Sequence, residues 1–383
     1  MIPLAVPNLS GNERKYLNQC IDTTFVSSVG EFVTRIEKIS AEKTGALYGV
    51  ATSSGTTGLH LALTGIGVSR DDIVIIPTFT FIASANSVSH AGANVWLMDI
   101  DLSSWTMDTK QLESELEQKS EMRGDILIHK PTGKRIAAIM PVYTLGNFPN
   151  MEHLNKIAEK YNLPVIADAA AAIGSTYNGE QLGNLAKLSV VSFNGNKTVT
   201  AGGGGMVVGN DKNLLAKLKH LSTTARVTAE YDHDMVGYNY RMTNIQAAVG
   251  CAQLEQLEKF VAKKKYIREF YHRELSDIDE IDFFPTTAGS SCWYSGIVLN
   301  HGGLDRIREI CAELKNQGIE ARSFWKPVHL QKPYQNAIKA DSLANADNLW
   351  DKIITLPCST NITDDELYCV TKNLREIIHQ QHN

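Results

Sequence analysis

With 383 residues, of which 43% are hydrophobic and 21% charged, the chain has the composition of a soluble globular protein large enough for two domains. A net charge of −5 with no long basic run argues against nucleic acid or anionic membranes as bulk partners. Six cysteines scattered without C-x-x-C spacing argue against a disulfide framework and against a zinc site, and no apolar run approaches the roughly 18 residues of a membrane span. The N-terminus lacks the positive start and apolar core of a signal peptide, so reduced thiols and a cytoplasmic location are expected.

Residues 1–12 read as an extended arm and Asn12–Thr23 as a first helix. Glu31–Lys43 places Phe32, Ile36 and Ile39 on one helical face. Tyr48–Thr52 reads as a short strand, followed by S-S-G-T-T-G and an apolar helix, the order that presents a helix N-terminus to a phosphate. Ser53, Ser54 and Thr56 equally suit plain helix capping, which uses the same geometry. Strands at Ile73–Ile76 and Val95–Ile100 flank a helix at Ile82–Ala91. The aromatics of P-T-F-T-F, just past the first of these strands, suit a core or the cover of a planar ring. Lys110–Lys119 is a polar helix, and residues 124–135 form a hairpin-like excursion that feeds a strand at Ile136–Val142. Met151–Tyr161 carries Leu154, Ile157, Ala158 and Tyr161 at helical spacing.

The densest chemistry follows. Asp168 ends the apolar run Leu163–Ala167, Ser192 ends Leu188–Val191, and Lys197 precedes the glycines 202–205. Ligands of open α/β sheets sit at such carboxyl ends of strands. Taken singly, Asp168 would also serve as a helix cap and Lys197 as a solvated cation. Together they suit pyridoxal phosphate, which needs an amine for a Schiff base and a carboxylate to keep its ring nitrogen protonated.

Strand Met206–Val208, helix Asn213–Leu221 and a polar stretch at Thr223–Asp234 lead to one long helix from Thr243 to about Leu275. Beyond it lie short strands near Ile281–Phe284 and Tyr294–Leu299, a helix at Leu304–Gln317 and a last helix over about Asp364–Gln380. The alternation predicts an α/β fold: a mostly parallel central sheet covered by helices, plus a smaller C-terminal α+β domain. The expected division is an arm at 1–12, a large domain at 13–245, and a linking helix with the small domain at 246–383.

In this order the segments resemble the DegT/StrS sugar-nucleotide aminotransferases, which are fold-type-I pyridoxal-phosphate enzymes. The resemblance spans nearly the whole chain. It is carried by S-S-G-T-T-G-L-H-L-A-L at 53–63, P-T-F-T-F-I-A-S-A-N at 77–86, A-D-A-A-A-A-I-G at 167–174 and S-F-N-G-N-K at 192–197. G-G-G-G-M-V-V at 202–208, G-Y-N-Y-R-M-T-N-I-Q-A-A at 237–248 and P-V-H-L-Q at 327–331 complete it. The resemblance implies that Lys197 holds the cofactor and moves protons, Asp168 pairs with the ring nitrogen, Thr56, Thr57 and Ser192 hold the phosphate, and Phe81 lies against the ring. It further implies that Asn239 reaches the cofactor of a neighbouring subunit in a homodimer with shared active sites, and that His329 sits near the sugar nucleotide. The implied reaction moves the amino group of L-glutamate, released as 2-oxoglutarate, through pyridoxamine phosphate to the 4-keto group of a nucleotide-linked 4-keto-6-deoxysugar, for surface polysaccharide or glycan synthesis. No metal is implied.

Ala171, Gly203 and Tyr143 depart from the family pattern, where Gln or His, Glu, and His are frequent. With the 124–135 excursion, the alanine-rich run most resembles the branch of the family that acts on UDP-4-keto-6-deoxy-N-acetylhexosamines of the bacillosamine and legionaminic acid type, which implies UDP-4-keto-6-deoxy-N-acetylglucosamine as the substrate. A pyridoxamine-phosphate dehydratase and a non-catalytic regulatory protein of the same fold are the alternatives. The dehydratases carry His where this chain has Lys197.

Overall fold

The computed structural model describes residues 1–379. Seven strands share one sheet: β1 (Tyr48–Thr52), β2 (Ile73–Pro77), β3 (Asn94–Met98), β4 (Lys134–Ile139), β5 (Ile166–Asp168), β6 (Leu188–Ser192) and β7 (Gly205–Gly209). Their order is β3-β2-β4-β5-β6-β7-β1, with β4 meeting β5 through the residue pairs Ile139–Val165 and Val142–Asp168. β7 runs antiparallel to both of its neighbours, while the pairs β2–β3, β2–β4 and β5–β6 are parallel.

A sheet buried on both faces needs strands that are apolar throughout, and Ile73–Pro77 is buried at every position. On one face, Ile36, Leu154 and Ala248 from the helices Glu31–Thr44, Met151–Lys160 and Asn244–Leu254 share a core with Ile75 and Val191. On the other, Leu61 and Leu218 from Gly55–Gly65 and Lys212–Ser222 pack with Ile76 and Val190. Because β1, β2, β5 and β6 all point one way, Ser53, Thr78, Asp168 and Ser192 emerge along a single edge.

A second core holds the C-terminal part of the chain. Its four-stranded antiparallel sheet runs Ile281–Phe283, Ser295–Leu299, Ile353–Leu356, Arg322–Ser323. The N-terminal arm belongs to this core: Ile2 pairs with Ile319, the Leu4 carbonyl accepts the Cys358 N–H at 2.8 Å, and both side chains are buried there. The chain also crosses back, since Ile338–Lys339 pairs alongside β3 in the large sheet.

The single long helix expected from Thr243 is two helices, Asn244–Leu254 and Leu257–Leu275. Leu257 and Phe260 still pack in the large core, whereas Ile267, Phe270 and Leu275 belong to the second, so the helix after the break spans both cores. The excursion is a meander in which Ser120–Arg123 pairs with Ile126–His129, which pairs in turn with β4. The last helix is described to His379, and the expected end at Gln380 lies outside the described residues. Among the described residues, no helix is long and apolar enough to cross a membrane.

Candidate active site

A cavity of about 630 Å³ lies at the shared strand edge, walled on its far side by the small domain. Asp168 forms part of its wall and is only 5% exposed. The backbone fixes it on both sides: its N–H donates to the Pro141 carbonyl at 2.9 Å and its carbonyl accepts the Tyr143 N–H at 2.9 Å. Each carboxylate oxygen has a donor, Ser84 Oγ at 2.7 Å and the Ala170 N–H at 3.1 Å. Burial nonetheless pushes the carboxyl above its ordinary range, against those two hydrogen bonds and the nearby Lys197. A carboxylate held in this way is set for a cationic partner in the cavity.

Ser84, on the helix Ala83–His90 that follows β2, lies within the P-T-F-T-F-I-A-S-A-N motif, although its role does not show in the sequence. Ser84→Ala removes a charge-assisted donor worth about 1.5–3 kcal/mol. It is expected to lower kcat/KM about tenfold, as measured by steady-state kinetics, while the fold is retained.

The helix Gly55–Gly65 starts at the same edge. Ser54 is its N-cap: Ser54 Oγ accepts the Thr57 N–H at 3.1 Å, and Thr57 Oγ1 accepts the Ser54 N–H at 3.0 Å. The Gly58 N–H goes to the Ser54 carbonyl. Of the four N–H groups that a helix start leaves without intrahelical partners, this frees those of Gly55 and Thr56, both at the cavity, for an anion. Ser192 faces the same point, and the close approach of backbones there tolerates only small residues. A Cβ on Gly205 would fall 2.6 Å from the Ser54 carbonyl oxygen, and one on Gly55 3.1 Å from the Ser192 Cβ.

Lys197 is half-buried and lines the same cavity. Burial pushes its amine down to about 8, opposed by the charge of Asp168. At pH 7.5, about a quarter of such an amine is unprotonated, against roughly a thousandth of an ordinary lysine. Trp293, Arg322, Phe324 and Trp325 close the cavity from the small domain, and Phe81, 57% exposed, stands 6.3 Å from the ring of Trp325 at the mouth.

Of the residues singled out from the sequence, Thr56, Phe81, Asp168, Ser192 and Lys197 line this cavity. Thr57 does not, because its hydroxyl is taken up by the capping box. His329 is buried away from the wall, with Nδ1 2.7 Å from Thr78 Oγ1 and Nε2 2.8 Å from Asp347 Oδ1. There it pins the segment after Trp325 to the end of β2. Asn239 is exposed on the segment before helix Asn244–Leu254 and is outside the cavity lining. The cap of that helix is Thr243, in a capping box with Gln246. Trp293, Arg322, Phe324 and Trp325 were not singled out, since nothing local in the sequence ties them to strands more than a hundred residues earlier.

A family model described as the DegT/DnrJ/EryC1/StrS aminotransferase family matches residues 7–375. The chain is 34% identical to GDP-perosamine synthase of Escherichia coli O157:H7, over 98% of each chain. It is 30% identical to UDP-4-amino-4,6-dideoxy-N-acetyl-beta-L-altrosamine transaminase of Campylobacter jejuni 81-176, over 99% of this chain and 98% of that one. Among solved structures it is similar in fold to the PLP-form of the putative sugar aminotransferase Spr1654 of Streptococcus pneumoniae, with a TM-score of 0.88, 23% identity and 99% coverage of both chains. With this likeness along its whole length, and with an acid, a lysine and a helix start lining one cavity, the chain belongs to the DegT/DnrJ/EryC1/StrS aminotransferase family of pyridoxal-phosphate-dependent sugar aminotransferases.

Proposed function

We propose that the protein transfers the amino group of L-glutamate to the 4-keto group of a nucleoside-diphosphate-linked 4-keto-6-deoxysugar, and that Asp168 and Lys197 are its reacting pair. The observation that carries this reading is that both line one cavity, close enough to interact electrostatically, together with the open N–H groups of the helix start at Gly55 and Thr56. The residues present fit the cofactor. Gly55, Thr56 and Ser192 would hold its phosphate, Asp168 would face its ring nitrogen, Phe81 would cover the ring, and Lys197 would hold its aldehyde. Pyridoxal phosphate supplies a carrier for the amino group and a protonated ring that delocalises the electron pair left on the reacting carbon. Lys197 Nζ takes the proton from the donor's α-carbon and later delivers one to the sugar carbon, work suited to an amine that titrates near 8. Asp168 would stay ionised beside the protonated ring nitrogen, which would offset the cost of its burial.

We assign the nucleotide as GDP, in place of the UDP-linked acetamido sugar expected from the sequence. The support is the higher identity, across essentially the whole chain, to a GDP-perosamine synthase than to a UDP-sugar transaminase. The test is to incubate holoenzyme and L-glutamate with GDP- and UDP-linked 4-keto-6-deoxysugars and identify products by NMR. A 4-amino sugar formed faster from the GDP substrate is expected. Loss of a ring hydroxyl without amination, or no conversion of either, would overturn the assignment.

The protein is further proposed to act as a homodimer in which Asn239 of the partner subunit reaches the phosphate. Exposed Phe25, Val26 and Val29 lie in a loop tied to the 241–244 segment through the Ser27 and Ser28 carbonyls, and Met235 and Val236 are exposed nearby in the chain; such apolar exposure marks an interaction surface. Mixing inactive Lys197→Ala and Asn239→Asp chains should restore about a quarter of native activity at full subunit exchange, because one site of each heterodimer carries neither defect. If Asn239 serves its own subunit, every site stays damaged and assays of the mixture recover nothing.

A further inference from the structure

We propose that Trp293 is a positioning residue for Lys197: its indole face seats the lysine's protonated amine, and its N–H fixes the backbone that carries the lysine. Lys197 Nζ lies 3.7 Å from the centroid of the Trp293 ring, well within cation–π range. Trp293 Nε1 donates to the Asn196 carbonyl at 2.7 Å, the peptide unit that leads directly into Lys197. Trp293 is itself held rigidly, being 2% exposed with its backbone N–H bound to the Leu145 carbonyl at 3.0 Å. A residue that merely filled space would need neither a polar edge on that carbonyl nor a π face beneath the amine.

The role rests on the reading of Lys197 as the reacting amine. Such an amine is released partway through each cycle and must then wait close to the reacting carbon. Two influences compete over its proton while it waits. Burial favours the neutral amine, whereas the indole quadrupole and the Asp168 carboxylate favour the ammonium. The other charged or titratable groups around it are Arg322 on the cavity wall, Tyr294 beside Trp293, and Lys264 in a small cleft behind Lys197, tied to the Cys358 carbonyl at 2.6 Å. Tyr294 Oη accepts from Asn196 Nδ2 at 3.4 Å and from Arg322 Nη2 at 3.3 Å, so Trp293 and Tyr294 of the small domain both hold Asn196, the residue before the lysine.

The experiment reads Lys197 without turnover, first in the cofactor-free protein and then by its capture of pyridoxal phosphate. Acetylation of Lys197 by acetic anhydride in the cofactor-free protein is quantified by mass spectrometry from pH 6 to 11, in wild type, Trp293→Phe and Trp293→Leu. Circular dichroism establishes that each variant is folded. Trp293→Leu is expected to lower the midpoint by about 0.5–1 unit through loss of the π face. Trp293→Phe keeps a ring and should stay near the wild-type midpoint. Having lost the N–H to Asn196, however, it should capture pyridoxal phosphate about three- to tenfold more slowly in borohydride trapping. Superimposable labelling profiles for Trp293→Leu and wild type, with Lys197→Ala inactive, would overturn the role of Trp293 alone. Turnover by Lys197→Ala would overturn the assignment of Lys197 and, with it, the purpose of the contact.

Discussion

On the roles proposed for Lys197, holding the cofactor and moving protons, Lys197→Ala is expected to lower amino transfer about ten-thousand-fold. The fold should not suffer. Lys197 is half-buried and, among the described residues, its amine has no hydrogen-bond partner, so truncation leaves no unpaired group behind. Release of the amine from its contact with Trp293 removes a favourable interaction, but burial of a charge is removed with it. Formation of 2-oxoglutarate measures the first effect, and the melting temperature of cofactor-free protein, expected within a few degrees of wild type, measures the second.

Asp168→Asn is expected to separate activity from stability in opposite directions. In the proposed holoenzyme the carboxylate would face the ring nitrogen, and an amide in its place would lack the charge that keeps the ring protonated. Each pKa unit of that pairing is about 1.4 kcal/mol, and buried pairs shift by several units, so turnover should fall at least a hundredfold. In the cofactor-free protein the sign reverses. Burial raises the carboxyl of Asp168 above its unfolded value, so the ionised form is disfavoured in the folded state. That penalty is absent below the unfolded pKa and complete once the pH exceeds the folded one, hence present at neutral pH. The amide can keep both neighbours, accepting from the Ala170 N–H and donating to Ser84 Oγ, which itself lies 2.8 Å from Thr80 Oγ1. Cofactor-free Asp168→Asn should therefore melt higher than wild type at pH 7.5 and lose that advantage on acidification. A lower melting temperature at neutral pH would show that the acid is not strained by its burial.

The sheet was legible because its signals are local. β2 is an unbroken run of four Ile and Val residues before a proline, and β5 and β6 are consecutive parallel strands, so Asp168 and Ser192 had to emerge at neighbouring points with Lys197 just beyond. The helix break after Leu254 was not, because Gln-Leu-Glu-Gln-Leu-Glu continues a helix as well as any sequence. Thr56 and Thr57 cannot be told apart by composition. Once Ser54 is the cap, Thr57 falls at the third helical position, where its hydroxyl closes the capping box. His329 illustrates the opposite limit. A histidine in a loop near the site is ambiguous until its partners are known, and here both ring nitrogens are engaged, by Thr78 and Asp347. The wall of Trp293, Arg322 and Trp325 arises only when the small domain closes on the large one, a juxtaposition with no imprint on local pattern.

The most direct measurement of the central claim is the visible absorbance of the holoenzyme mixed with L-glutamate alone. Amino transfer in two halves predicts that the band of bound pyridoxal phosphate disappears with release of one 2-oxoglutarate per active site, and that it returns when the keto sugar nucleotide is added. A band that persists in saturating glutamate and yields no 2-oxoglutarate, while the keto sugar is still consumed, would contradict the account.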